Sequence, residues 1–75
     1  MKKIAILLAE GYEEGEVMFA VDIFRRGGLQ CDLISVTQEM RVKSCNNVIV
    51  EADRFLGDDV KDGYDVLMLP GGQPG

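Results

Sequence analysis

Three features of this 75-residue sequence predict an open α/β sheet with helices on its faces. The segments Lys3 to Ala9 and Asp65 to Leu69 are short, nearly continuous apolar runs, which is how strands buried on both faces read. Between Glu13 and Arg26 the apolar period changes to that of a helix, and a further strand-like run follows it. The resulting β-α-β order implies a parallel pair joined by a crossover, which is almost always right-handed.

The first strand, Lys-Ile-Ala-Ile-Leu-Leu-Ala, is closed by Glu10-Gly11. Val17, Ala20, Val21 and Phe24 then fall at i, i+3, i+4 and i+7, one apolar stripe along a helix. Glu10, Glu13, Glu14 and Glu16 crowd its start and Arg25-Arg26 occupy its last turn, both in keeping with the helix dipole. Gly27-Gly28 supplies the stop. Leu29 to Val36 reads as the second strand, with Cys31, Leu33 and Ser35 on one face. Met40 to Lys43 and Val48 to Glu51 flank Ser44-Cys45-Asn46-Asn47 and predict a small hairpin, because Asn accepts positive φ. Arg54 to Lys61 is a weak helix with Phe55, Leu56 and Val60 as anchors, Asp53 as its cap and Gly57 weakening its middle. Gly63-Tyr64 connects to the last strand, which stops at Pro70-Gly71-Gly72. Ending directly after a core strand, residues 1–75 read as the N-terminal part of one larger domain, the β-α-β-hairpin-α-β portion of it.

Composition narrows the function classes. Hydrophobic residues make up 47% and charged residues 28%, as in ordinary globular chains. Eight basic against thirteen acidic residues leave a net charge of −5, a poor match for nucleic acid or an anionic membrane surface. No apolar run approaches the ~20 residues that span a bilayer. There is no histidine, and Cys31 and Cys45 cannot fill a four-cysteine site, so no metal and no cofactor is expected. Two unpaired thiols fit a reduced, cytoplasmic setting. Cys31 reads as a small core residue, and Cys45 as an exposed thiol without a base to activate it.

In open parallel sheets the working crevice lies beyond the carboxyl ends of the strands. Two segments arrive there, the acidic loop Glu10-Gly11-Tyr12-Glu13-Glu14-Gly15-Glu16 and the turn Pro70-Gly71-Gly72-Gln73-Pro74-Gly75. An acidic loop facing a glycine turn suits a site where a carboxyl group and backbone N–H donors converge. It suits phosphate badly, and neither phosphate-binding glycine motif is present. The same acidic residues also fit a solvated helix start, and Gly71-Gly72 also fits a plain turn. Crowding and partial burial around Glu16 are expected to raise at least one carboxyl pKa.

The runs Ile4-Ala5-Ile6-Leu7-Leu8-Ala9-Glu10-Gly11-Tyr12-Glu13-Glu14-Gly15-Glu16, Val21-Asp22-Ile23-Phe24-Arg25-Arg26-Gly27-Gly28 and Tyr64-Asp65-Val66-Leu67-Met68-Leu69-Pro70-Gly71-Gly72 resemble the ThiJ/PfpI superfamily, above all its parkinsonism-associated deglycase branch. The resemblance implies a flavodoxin-like sandwich of about twice this length, usually a homodimer, with its catalytic cysteine on a strand-to-helix elbow in the second half. It places Glu16 where the family's glutamate contacts that sulfur, and Gly72 where a backbone N–H helps form an oxyanion hole. The cysteine and its histidine partner would lie in the missing C-terminal segment.

The activity implied is thiol chemistry on a small carbonyl compound or its adduct: glyoxalase-like, deglycase-like or amide-hydrolysing. A class I glutamine amidotransferase is a competing reading, opposed by the Glu-rich first loop. A non-enzymatic oxidative-stress sensor or chaperone on the same fold is another. Met18 and Phe19 lie off the helix's core stripe, and with the resemblance they point to a two-fold homodimer using the start of that helix.

Overall fold

The computed structural model describes residues 2–57 and 63–71. Its strands are β1 (Lys3–Leu8), β2 (Gln30–Ser35), β3 (Arg41–Lys43), β4 (Ile49–Glu51), β5 (Arg54–Phe55) and β6 (Val66–Met68), with one helix, α1 (Glu14–Arg26). The main sheet runs β5-β2-β1-β6, and all three pairings are parallel. The expected α/β class holds, with β1 at the centre of the sheet.

Alternation along β1 sends Ile4, Ile6 and Leu8 to one face, where Cys31 and Leu33 of β2 join them. Val17 of α1 is fully buried against this group, and Ala20, Val21 and Phe24 pack beside it. The predicted stripe is therefore the one the helix buries. Burying a side chain of this size contributes about 1.5–3 kcal/mol.

The helix ends as its glycines dictate. Gly28 takes φ +82°, which costs glycine little, and its N–H reaches the Arg25 carbonyl at 3.1 Å. Leu29 N–H returns to the Phe24 carbonyl at 3.0 Å, completing a Schellman turn that aims the chain into β2.

The hairpin also forms where expected. Strands β3 and β4 are antiparallel, and Asn47 has φ 67° at the turn. Val42 is fully buried in the same core as α1, so the hairpin covers this sheet face together with the helix.

The segment after the hairpin differs from expectation. Arg54 does not begin a helix: with Phe55 it pairs with Ile34 and Ser35 as the edge strand β5. Asp53 caps no helix either, since its carboxylate accepts the Leu33 N–H at 2.7 Å and its own N–H donates to the Leu33 carbonyl at 2.7 Å. The open edge of β2 needed hydrogen-bond partners, and that requirement outweighed a helix propensity already weakened by Gly57. The rest of the predicted helix, from 58 to 61, lies outside the described residues.

Tyr64 is more than a connector. It is buried with Ala5 and Ile34 on the opposite sheet face, and its hydroxyl donates to Asp32 at 2.5 Å. Burial, then the Asp32 contact, pushes its pKa up. The Lys3 ammonium and the Arg54 guanidinium both stand over its ring, at 5.2 and 6.0 Å from the centroid.

Candidate functional site

The first loop leaves the carboxyl end of β1 and turns sharply at Gly11, where φ is +87°. Tyr12 follows, buried, with its hydroxyl 3.3 Å from the Val48 carbonyl of the hairpin. Glu13 is the N-cap of α1, and its side chain accepts the Gly15 N–H at 2.7 Å. That satisfies one of the donors a helix start leaves unpaired, so Glu13 is partly buried and occupied rather than a purely solvated charge.

The remaining two glutamates of the first turn face different neighbours. Glu14 reaches the hairpin tip, accepting from the Ser44 hydroxyl and, at 2.9 Å, from the Asn46 side-chain amide. Glu16 reaches the other way. Its Oε1 accepts the Gly71 N–H at 3.0 Å, while the Glu13 N–H donates to the Gly71 carbonyl at 2.8 Å. The acidic loop and the Pro70-Gly71 turn thus meet through two hydrogen bonds, as the topology rule predicts.

The fit at Gly71 is close. A Cβ there would stand 3.1 Å from Glu16 Oε2 and 3.5 Å from Oε1, so a side chain at this position would make the carboxylate shift by a few tenths of an ångström. Gly71 was not singled out from sequence; the signal was the doubled glycine after an apolar strand, which gives the turn without saying which glycine touches the acid. Gly72 lies outside the described residues.

Two expectations about charge need correction. Glu16 is exposed rather than partly buried. Glu14, far from being pushed up by its neighbours, is held below the usual carboxylate range by the Ser44 hydroxyl and then by the Asn46 amide. Donors aimed at an ionised carboxylate outweigh repulsion between charges that water screens.

Cys31 is buried, as a core residue should be, and burial is the main cause of its raised thiol pKa. Cys45 is partly buried rather than exposed, with its N–H 2.9 Å from the Tyr12 carbonyl. Burial, then the charges of Glu14 and Glu13, push its thiol up. Neither is an activated thiolate. The ligand-type atoms of Glu13, Glu14 and Cys45 do lie within 4.8 Å of one another. Since Glu13 and Glu14 already accept hydrogen bonds and the thiol is held protonated, the trio reads as a loop contact, and no ion is assigned to it.

No helix among the described residues is long and apolar enough to cross a membrane. The family model of the DJ-1/PfpI family matches residues 2–75. The chain is 38% identical over 74 residues to Protein DJ-1 homolog B of Arabidopsis thaliana, covering 99% of this chain and 17% of that protein. It is 36% identical to the Parkinson disease protein 7 homolog of Danio rerio, covering 95% of this chain and 38% of that protein. The structure of oxidized DJ-1 from Toxoplasma gondii superposes with a TM-score of 0.92 at 31% identity, covering all of this chain and 41% of that one. The chain therefore spans well under half the length of these relatives, and within that span it belongs to the DJ-1/PfpI family.

Proposed function

We propose that residues 1–75 are the N-terminal part of a single DJ-1/PfpI domain whose complete form carries out cysteine thiol chemistry on small carbonyl compounds or their adducts. The observation that carries this reading is the Glu16–Gly71 contact, which joins a carboxyl group to the glycine turn at the mouth of the sheet. In this scheme a thiolate from the C-terminal segment adds to the carbonyl carbon. A C–S bond forms, and the π pair moves onto oxygen. By likeness to the family, the donor proposed for that oxyanion is Gly72 N–H. A donor of this kind is worth about 2.7–4 kcal/mol in acyl-transfer enzymes. Glu16 tunes the thiol and handles its proton. Neither thiol of this chain competes, since both are pushed up.

The complete protein, supplied with glyoxal, is expected to convert it, and replacing its elbow cysteine by alanine should abolish conversion. Turnover that survives the replacement would remove the reading. A redox-sensing role is favoured by one observation, the oxidized state in which the Toxoplasma relative was solved. It predicts peroxide oxidation of the elbow thiol and no conversion of glyoxal at all.

The setting proposed is the cytoplasm, in keeping with two free thiols. The assembly proposed is a homodimer through α1. Phe19 is 69% and Ile23 50% exposed on the side of the helix turned away from the sheet. Sedimentation at micromolar concentration should show a dimer, and a monomer alone would exclude it.

A further inference from the structure

The proposed chemistry asks Glu16 to hold one position, yet its side chain is exposed and Gly71 alone bonds to it among the described residues. The first helical turn, bonded to Gly71 through the Glu13 N–H, is also held from the opposite side. Ser44 is nearly fully buried, and its Oγ accepts the N–H groups of Asn46 at 3.2 Å and Val48 at 2.9 Å. With both acceptor sites used, the hydroxyl proton has one direction left, toward Glu14 Oε1. The Asn46 amide takes Glu14 Oε2. Alongside, Gly11 N–H donates to the Lys43 carbonyl and Cys45 N–H to the Tyr12 carbonyl, both at 2.9 Å. The loop that carries Glu16 is thereby fastened to the hairpin on one side and to Gly71 on the other.

We propose that Ser44 and Asn46, acting through Glu14, are positioning residues that fix the first turn of α1 so that Glu16 stays on the Gly71 turn. This rests on the functional reading above. The hairpin is then part of the site's support as well as a cover for the core. Charge-assisted bonds are the fitting means, because they are short and directional, and a displacement near 1 Å at a reacting group can cost ~100-fold.

The test is the pH profile of iodoacetamide alkylation at the elbow thiol of the complete protein. Ser44→Ala is expected to raise the midpoint by about 0.5 pH unit, a roughly threefold fall in thiolate below it. Ser44→Thr, which keeps the hydroxyl, should restore the profile. Asn46→Ala removes only the exposed arm and should move the midpoint in the same direction by less, which keeps the test open if Ser44→Ala folds poorly. In a Glu16→Leu background neither change should add anything, since the effect runs through Glu16. A lowered melting temperature with an unmoved midpoint, or full additivity with Glu16→Leu, would overturn the proposal. If Glu16→Leu alone moves nothing, the functional reading fails first and the clamp with it. If Glu16→Leu moves the midpoint while Ser44→Ala and Asn46→Ala do not, the clamp alone is wrong.

Discussion

Glu16→Leu in the complete protein is expected to raise the elbow thiol's pKa by about one unit or more, each unit being ~1.4 kcal/mol. Oε1 of Glu16 accepts the Gly71 N–H, which leaves Oε2 for a contact with a sulfur supplied by the C-terminal segment. A carboxyl proton donated to sulfur favours the thiolate over the thiol, and thiolate is the reactive species. Leucine fills a similar volume and donates nothing, so alkylation at a pH well below both midpoints should slow by roughly tenfold for a one-unit rise. The control is Glu13→Gln. The amide oxygen of glutamine can still accept the Gly15 N–H, so the helix start survives and the profile should hardly move. Equal shifts from the two substitutions, or none from either, would reduce the acidic loop to a helix cap.

The second large effect concerns the 75-residue chain by itself, which is expected to melt broadly and to bind hydrophobic dyes. On the sheet face opposite α1, Ala5, Leu7 and Ile34 are covered among the described residues by Tyr64. Leu67, in register with Ala5 on that face, stays 47% exposed, and Leu69 beyond the strand is 77% exposed. A chain of this size buries only about 60% of its unfolded surface even when complete. Unpaired strand edges add a route to aggregation. Adding the C-terminal segment in trans should sharpen the transition. A cooperative, two-state melt from a monomer of this chain would show that one covered sheet face is enough.

Much of this architecture was legible in local pattern. β1 was visible as an apolar run between charges, α1 as a stripe with acidic start and basic end, and the hairpin as paired short runs around Asn47. What stayed hidden depended on partners distant in sequence. Asp53 reads as a helix cap until the open edge of β2, twenty residues earlier, claims its carboxylate. Tyr64 reads as linker until Asp32 accepts its hydroxyl. In the site, the meeting of two loops followed from topology, whereas the division of labour among Glu13, Glu14 and Glu16 did not. Adjacent glutamates look alike in a string; their roles separate only once the hairpin and the Gly71 turn approach from opposite sides.

The central place of β1 also fixes an order of events during synthesis. Of the strands in this segment it leaves the ribosome before the others, and one of its two neighbours is β6, whose flanking Asp65 accepts the Lys3 N–H across 62 residues of chain. At translation rates of about 5–20 residues per second, those residues take roughly 3–12 s to appear. Helix α1 and the β1–β2 pair can assemble within that interval, because their own backbone hydrogen bonds and pairing lie in the first 35 residues. The other edge of β1 waits throughout, a row of unpaired amides and carbonyls beside an apolar surface. The Glu16–Gly71 contact belongs to the end of that wait, since its glycine is translated after β6. The candidate site is thus among the last features of this segment to form, and a nascent chain carries its acid for seconds before it has a turn to rest on.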